Sequence, residues 1–201
     1  MTPERPRFVL IAVVSADGFV ARASGHTPAD WASAEDQDWF RRDMAEMDWS
    51  VMGRVTHEVA PRPDRRRIVF TRSAPTPRWT GPTHLLVDPA LTPLADILAL
   101  VRTAGPARID QCGILGGTDV YDHFLDHGLI DEMRLTFEPV RFGTGRPLFT
   151  ALDPPVTDWL GRRGFVAAQA PQRLNETGTT RWILASNRPR PAAVDISAPP
   201  A

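Results

Sequence analysis

Val51-Met52-Gly53-Arg54-Val55-Thr56 and Gly113-Ile114-Leu115-Gly116-Gly117-Thr118-Asp119-Val120-Tyr121 have the same grammar: an apolar strand, then glycine, then the start of a helix. An apolar run delivers the chain to the rim of a sheet, and glycine there lets the backbone approach a ligand closely. The free N–H groups of the helix that follows point at an anion. Arg54 adds a planar, permanently charged fork beside the first of these turns. Two such turns in one chain suit a phosphate-bearing cofactor.

Working outward, Phe8-Val9-Leu10-Ile11-Ala12-Val13-Val14 is a continuous apolar run, as in a strand buried on both faces, and Ser15-Ala16-Asp17-Gly18 turns the chain after it. A polar loop with Gly25 and Pro28 leads to Ser33, an N-cap for a helix that carries Trp39, Phe40, Met44 and Met47 at helical spacing. Strands are expected at 49–53, 67–71 and 84–87, separated by proline-bearing turns. Thr92-Pro93 opens a helix containing Leu94, Ile97, Leu98 and Val101, with proline at its first position. A strand at 112–115 enters the glycine pair, and a helix from Asp119 to His127 stops at Gly128. Beyond it, Met133 to Val140, about 165–170 and 181–185 read as strands with no helix between them, an antiparallel end to a sheet that began parallel. The expected fold is mixed α/β: one domain over 1–187, followed by a proline- and alanine-rich flexible tail over 188–201.

At 201 residues the chain fits a single domain with a sizeable core. Its net charge of −1 argues against nucleic acid or an anionic membrane as the main partner. All 23 basic residues are arginine, and without lysine there is no Schiff-base chemistry, no lysine general base and no Walker-type phosphate loop. The single cysteine, Cys112, cannot form an internal disulfide and lies in an apolar strand, which suits a small packed side chain. The apolar stretch near the N-terminus is too short for a signal peptide, and no run reaches the roughly 18 apolar residues of a membrane span, so a cytoplasmic protein is expected. His123 and His127 are spaced to share a metal, but no third ligand stands at a recognisable spacing; a solvated helix face and no metal are expected.

The order Trp31, Asp36, Trp39-Phe40, Met52-Gly53-Arg54-x-Thr56 resembles the dihydrofolate-reductase-like superfamily. Gly128-Leu129-Ile130-Asp131-Glu132, the segment from Pro139 to Phe149 and Ser15-Ala16-Asp17-Gly18 are similar to one of its branches, the riboflavin-biosynthesis reductase or RibD C-terminal domain family. The likeness spans about residues 8–185 and implies a three-layer αβα fold around a mixed, mostly parallel sheet, and a homodimer through the C-terminal strands.

The resemblance also implies roles. Asp36 takes the position of the active-site carboxylate, with Thr136 its hydrogen-bonding partner; Trp31, Phe40 and Arg65 take substrate-binding positions. NADPH is the implied cofactor: Gly53, Arg54 and Thr56 match the turn that holds its adenylyl half, and Thr71 and Arg72 the place where the extra phosphate is read. Leu115, Gly116, Gly117, Thr118, Val120 and Tyr121 match the segment under the nicotinamide and pyrophosphate, with Val13 beside them. Independently of the family, one acid on the inward face of an apolar helix is desolvated and can hold a proton near neutral pH; the competing reading is an N-terminal carboxylate favouring the helix dipole. In riboflavin reductases an Asp-Asp-Pro-x-Leu segment with a phosphate-gripping arginine follows the Gly-x-x-Thr turn; here that stretch is His57-Glu58-Val59-Ala60-Pro61-Arg62-Pro63. The zinc deaminase half of the bifunctional enzymes is absent, since one cysteine cannot supply its ligands. The expected function is NADPH-dependent hydride transfer to a small heterocycle, with the loop from Gly18 to Trp31 as a lid. The candidate substrates are the ribosylaminopyrimidine phosphate of riboflavin synthesis and a dihydropteridine. A nucleotide-binding protein without turnover is the alternative of another class.

Overall fold

The computed structural model describes residues 5–105 and 109–189, so nearly all of the expected tail lies outside the described residues. In chain order the elements are β1 (Arg7–Ser15), β2 (Phe19–Ala21), α1 (Ala34–Ala45), β3 (Trp49–Gly53), α2 (Arg54–Val59), β4 (Arg67–Phe70), β5 (Arg78–Thr80), β6 (His84–Val87), α3 (Leu94–Ala104), β7 (Gln111–Ile114), α4 (Thr118–Asp126), β8 (Glu132–Glu138), β9 (Arg146–Pro147), α5 (Val156–Arg162), β10 (Phe165–Ala167), β11 (Gln172–Arg173) and β12 (Thr180–Ser186). The main sheet runs β10-β12-β8-β1-β7-β3-β4-β6-β5, with β11 on β12. Its six central strands, β8 to β6, are parallel, while β12, β10 and β11 at one end and β5 at the other are antiparallel. The mixed α/β architecture expected from the sequence is therefore the one observed.

The apolar run that made β1 legible also places it centrally, because a strand flanked on both sides and covered on both faces needs no polar side chain. Its two faces meet different layers. Phe8, Leu10 and Val14 join a large core with Ile97 and Val101 of α3, Phe124 and Leu125 of α4, and Trp159 and Leu160 of α5. Val9 and Ile11 form a small separate cluster with Met44 of α1 and Met47 just after it, with Leu115 packed against them. The α1 side of the sheet is thus thinly covered, and Ile11, Val13, Ser50, Met52, Arg67, Arg134 and Thr136 from that face line an open cleft.

Three local expectations are corrected. A helix does stand between β8 and β10: α5 buries Val156, Trp159 and Leu160 on one face. Pro154-Pro155 before it and Gly164 (φ +87°) after it look like loop punctuation in the sequence, but they bracket two turns of helix. The second C-terminal strand stretch is shorter than 165–170, since β10 ends at Ala167. Pro93 is the N-cap of α3, and the helix starts one residue later, at Leu94. Part of the expected lid is also a strand: β2 pairs with β9.

Candidate functional site

The cleft has a volume of about 1110 Å³ and opens at the C-terminal ends of β3, β4 and β7, where ligands of open parallel sheets sit. It exceeds the usual range for a single small-molecule site and offers room for two ligands. Phe40, Val55 and Val59, large apolar side chains left exposed, all line it.

Its cofactor arm is built from the two glycine turns. Because β3 and β7 are parallel neighbours, Gly53 N–H donates to Gly116 O (2.7 Å) and Leu115 N–H to Val51 O (2.9 Å), which clamps the turns side by side. The two glycines of the pair have separate jobs. Gly116 has φ +86°, and a Cβ there would come within 2.7 Å of the Tyr121 ring, so glycine is required for the turn itself. Gly117 has φ −70° and lines the cleft, and a Cβ there would meet no protein atom within 4 Å. That space is open to a ligand. Gly117 is also the N-cap of α4 and offers no side-chain cap; Val120 and Tyr121 N–H groups bond its carbonyl, while the first-turn N–H groups before them stand at the cleft. Thr118 and Tyr121 line the cleft but also tie it together, Thr118 Oγ1 donating to Pro147 O (2.6 Å) and Tyr121 OH to Ile11 O (3.4 Å).

Arg54, Thr56, Thr71, Arg72 and Ser73 form the outer wall of this arm. Thr71 and Ser73 share a hydroxyl hydrogen bond of 2.9 Å, and Arg72 is exposed between them. Arg54 is already engaged by Glu58 at 2.7 Å in an exposed pair one helical turn on. An anion at this wall therefore meets Arg72 directly and competes with Glu58 for Arg54.

The other arm centres on Asp36. Ser33 caps α1, its hydroxyl accepting from Asp36 N–H (3.3 Å), and the Asp36 side chain turns inward. The carboxyl is buried, and its pKa is pushed up from 3.8 to about 6. Desolvation is the main cause; the negative charges of Glu138 and Asp43 add to it, against a hydrogen bond with Thr136 and the charge of Arg181. Thr136 is thus brought to Asp36 as expected. Phe40 stands one turn further along α1, and Arg65, whose Nη1 donates to Met44 O (3.3 Å), lines the same arm. Cys112, by contrast, is buried in β7 with its thiol pKa pushed up by desolvation, consistent with a packing residue.

Of the residues given catalytic, substrate-binding or cofactor-binding roles from the sequence, all but Trp31 and Gly116 line the cleft. Trp31 packs edge-on against Phe142 at 4.8 Å, and Phe142 also receives the Arg22 guanidinium (4.2 Å) and His26 (6.0 Å). Trp31 therefore fastens the mouth loop of the cleft; it is not on the lining. Sequence reasoning missed Asp43, Arg67, Arg134 and Arg181, which do line it. For Arg134 and Arg181 the signal was present as polar residues alternating with apolar ones on strands, a pattern normally read as a solvent face.

Residues 6–162 match the RibD C-terminal domain family. The chain belongs to that family. A relative named "Uncharacterized protein YyaP", from Bacillus subtilis (strain 168), is 24% identical over 161 residues, covering 71% of this chain and 80% of the relative. Among solved structures, a "Putative riboflavin biosynthesis protein" from Shewanella sp. PV-4 superposes with a TM-score of 0.64 at 21% identity, covering 90% of this chain and 99% of that one. Dihydrofolate reductase from Enterococcus faecalis, complexed with NADP(H) and RAB-propyl, gives 0.61 at 18% identity, covering 90% and 97%. The RibD C-terminal domain here thus has the dihydrofolate-reductase-like fold, with both glycine turns and Asp36 inside the matched segment.

Proposed function

We propose that this RibD C-terminal domain is an NADPH-dependent reductase that acts on a pyrimidine- or pteridine-type heterocycle. One observation carries the reading: a buried acid whose pKa is raised to about 6, Asp36, shares a single cleft with a glycine-lined helix N-terminus that leaves room for an anion. The residues fit the cofactor. Gly117 leaves the space, the first turn of α4 supplies N–H donors for a pyrophosphate, and Arg72 with Arg54 supplies positive charge for a further phosphate. When bound, the nicotinamide supplies hydride. Asp36 holds the proton for a ring nitrogen, Thr136 orients that carboxyl, and Phe40 offers an apolar face to a flat ring. The mouth loop held by Phe142 limits water.

Both substrate types share this chemistry. Family membership favours the ribosylaminopyrimidine phosphate of riboflavin synthesis, whereas the Asp36–Thr136 pair is what a dihydropteridine reduction would use. The deciding experiment follows NADPH absorbance with each substrate in turn. Consumption with one of them identifies the reaction. Binding of NADPH without consumption by either would refute the reductase reading and leave a nucleotide-binding protein.

A further inference from the structure

One face of β8 presents Glu132, Arg134, Thr136 and Glu138 in succession, and Arg181 of β12 stands directly across from Thr136. α1 lies over this stripe and adds Asp36 and Asp43, two turns apart. The charges are paired closely. Asp43 Oδ1 accepts from Arg134 Nη1 (2.9 Å) and Arg181 Nη2 (2.8 Å), Glu132 takes Arg7 (2.6 Å) and Arg134 (2.6 Å), and Glu138 accepts from Ser33 N–H (2.8 Å) and the Thr179 hydroxyl (2.6 Å).

Arg181 is held in two ways. Asp43 anchors it from one side, and its guanidinium lies 4.5 Å from the centre of the Trp39 ring. It is only 5% exposed, yet it lines the cleft with Asp36. The Asp43 bond engages one nitrogen of a fork that carries five N–H donors. Cross-strand neighbours have Cβ atoms about 5 Å apart, so Arg181 flanks the threonine to which Asp36 is bonded. Arg181 and Asp36 thus line the same cleft, near enough for the guanidinium charge to act on the Asp36 carboxyl.

We propose that Arg181 is a specificity-determining residue: it donates a hydrogen bond to an oxo oxygen on the heterocycle, next to the ring nitrogen served by Asp36. The proposal rests on the assignment of this arm as the substrate site. Guanidinium offers donors and no acceptor, so a ring with an exocyclic amino group in that place would face donor with donor. Arg181 thereby selects oxo-substituted over amino-substituted rings, and Asp43 and Trp39 position it for the task. This selection is additional to the acid function of Asp36.

Calorimetric titration of the full chain tests this with two probes, pterin and the diaminopteridine in which its oxo group is replaced by an amino group. Binding is measured without cofactor, so the ratio stands or falls independently of whether the protein consumes NADPH. The wild type is expected to prefer pterin. Arg181→Met is expected to weaken pterin by about 10- to 150-fold, the range of a lost charged hydrogen bond, and to leave the diamino probe within about twofold. Arg181→Lys keeps a charge opposite Asp43 and loses only the planar fork; it is expected to lower the pterin preference by at least about threefold while preserving the fold. A structural role would weaken both probes alike. Equal losses in either variant, an unchanged ratio in Arg181→Lys, or a wild type that binds no pterin or prefers the diamino probe would each overturn the proposal.

Discussion

Asp36→Asn separates an acid tuned for chemistry from one that decorates a helix end. Burial raises the Asp36 carboxyl from an ordinary 3.8 to about 6, so the folded state favours the protonated form. At 1.36 kcal/mol per tenfold change in acidity, ionised Asp36 costs the fold about 3 kcal/mol. The sign follows from linkage. Its contribution to stability is fully present below the unfolded pKa and is lost as pH rises through the folded value, from about 4 to about 6. Asparagine has nearly the same shape and no charge to desolvate. It gives up a carboxylate near the α1 N-terminus, which contributes about 0.3–1 kcal/mol. The net effect at pH 8 is a gain of about 2 kcal/mol, or roughly 4–8 °C in Tm for a chain of this size, and the gain should vanish near pH 4. Turnover should meanwhile fall about a hundredfold to ten-thousandfold. Thermal melts of both proteins across pH 4–8, with kcat on the same samples, decide the matter. A variant less stable than wild type at pH 8 with undiminished turnover would show that Asp36 only serves the helix.

Other perturbations read other parts of the cleft. Wild-type kcat/KM should fall about tenfold per pH unit above the Asp36 pKa of about 6, since the reaction needs the protonated form; a flat profile would contradict this. Gly117→Val should fold normally, because its Cβ meets no protein atom, yet lose NADPH binding, whereas Gly116→Val should be strongly destabilised by contact with Tyr121; circular dichroism and titration calorimetry check both. Arg72→Ala should weaken NADPH about 10- to 150-fold and leave NADH unchanged, with a smaller effect for Arg54→Ala because Glu58 already competes for that guanidinium; equal wild-type affinity for the two cofactors would refute the phosphate assignment. Phe142→Ala removes the ring shared by Arg22, His26 and Trp31, and should speed amide exchange across 22–31 while raising KM more than it lowers kcat.

The parts of the fold that were legible in the sequence are those where one physical demand acts alone. The Phe8–Val14 run of β1 is apolar because it is central in the sheet and largely buried, and Gly116 had to be glycine where the backbone turns against Tyr121. Gly128, expected as the stop for α4, has φ +63° just past the His127 cap. Where two demands overlap, the sequence is ambiguous. In α5 the prolines and glycine that signal a loop also bound a helix too short for periodicity to outweigh them.

Trp31 and Arg181 show the same ambiguity at the site. Trp31 stands at the sequence distance from Asp36 that a substrate-facing ring would have, but its direction is set by Phe142, whose place follows from a distant loop. Position along the chain does not fix a side chain's direction when the partner comes from elsewhere. Arg134 and Arg181 pose the converse case. Charge alternating with apolar residues normally marks a solvated sheet face, and these arginines do sit on the face opposite the main core. What makes that face an interior is α1, and specifically Asp43, which draws both guanidiniums beneath the helix and beside Asp36. The proton held by Asp36 and the charge held by Arg181 are therefore properties of one packed layer, and neither can be assigned from its own strand or helix alone.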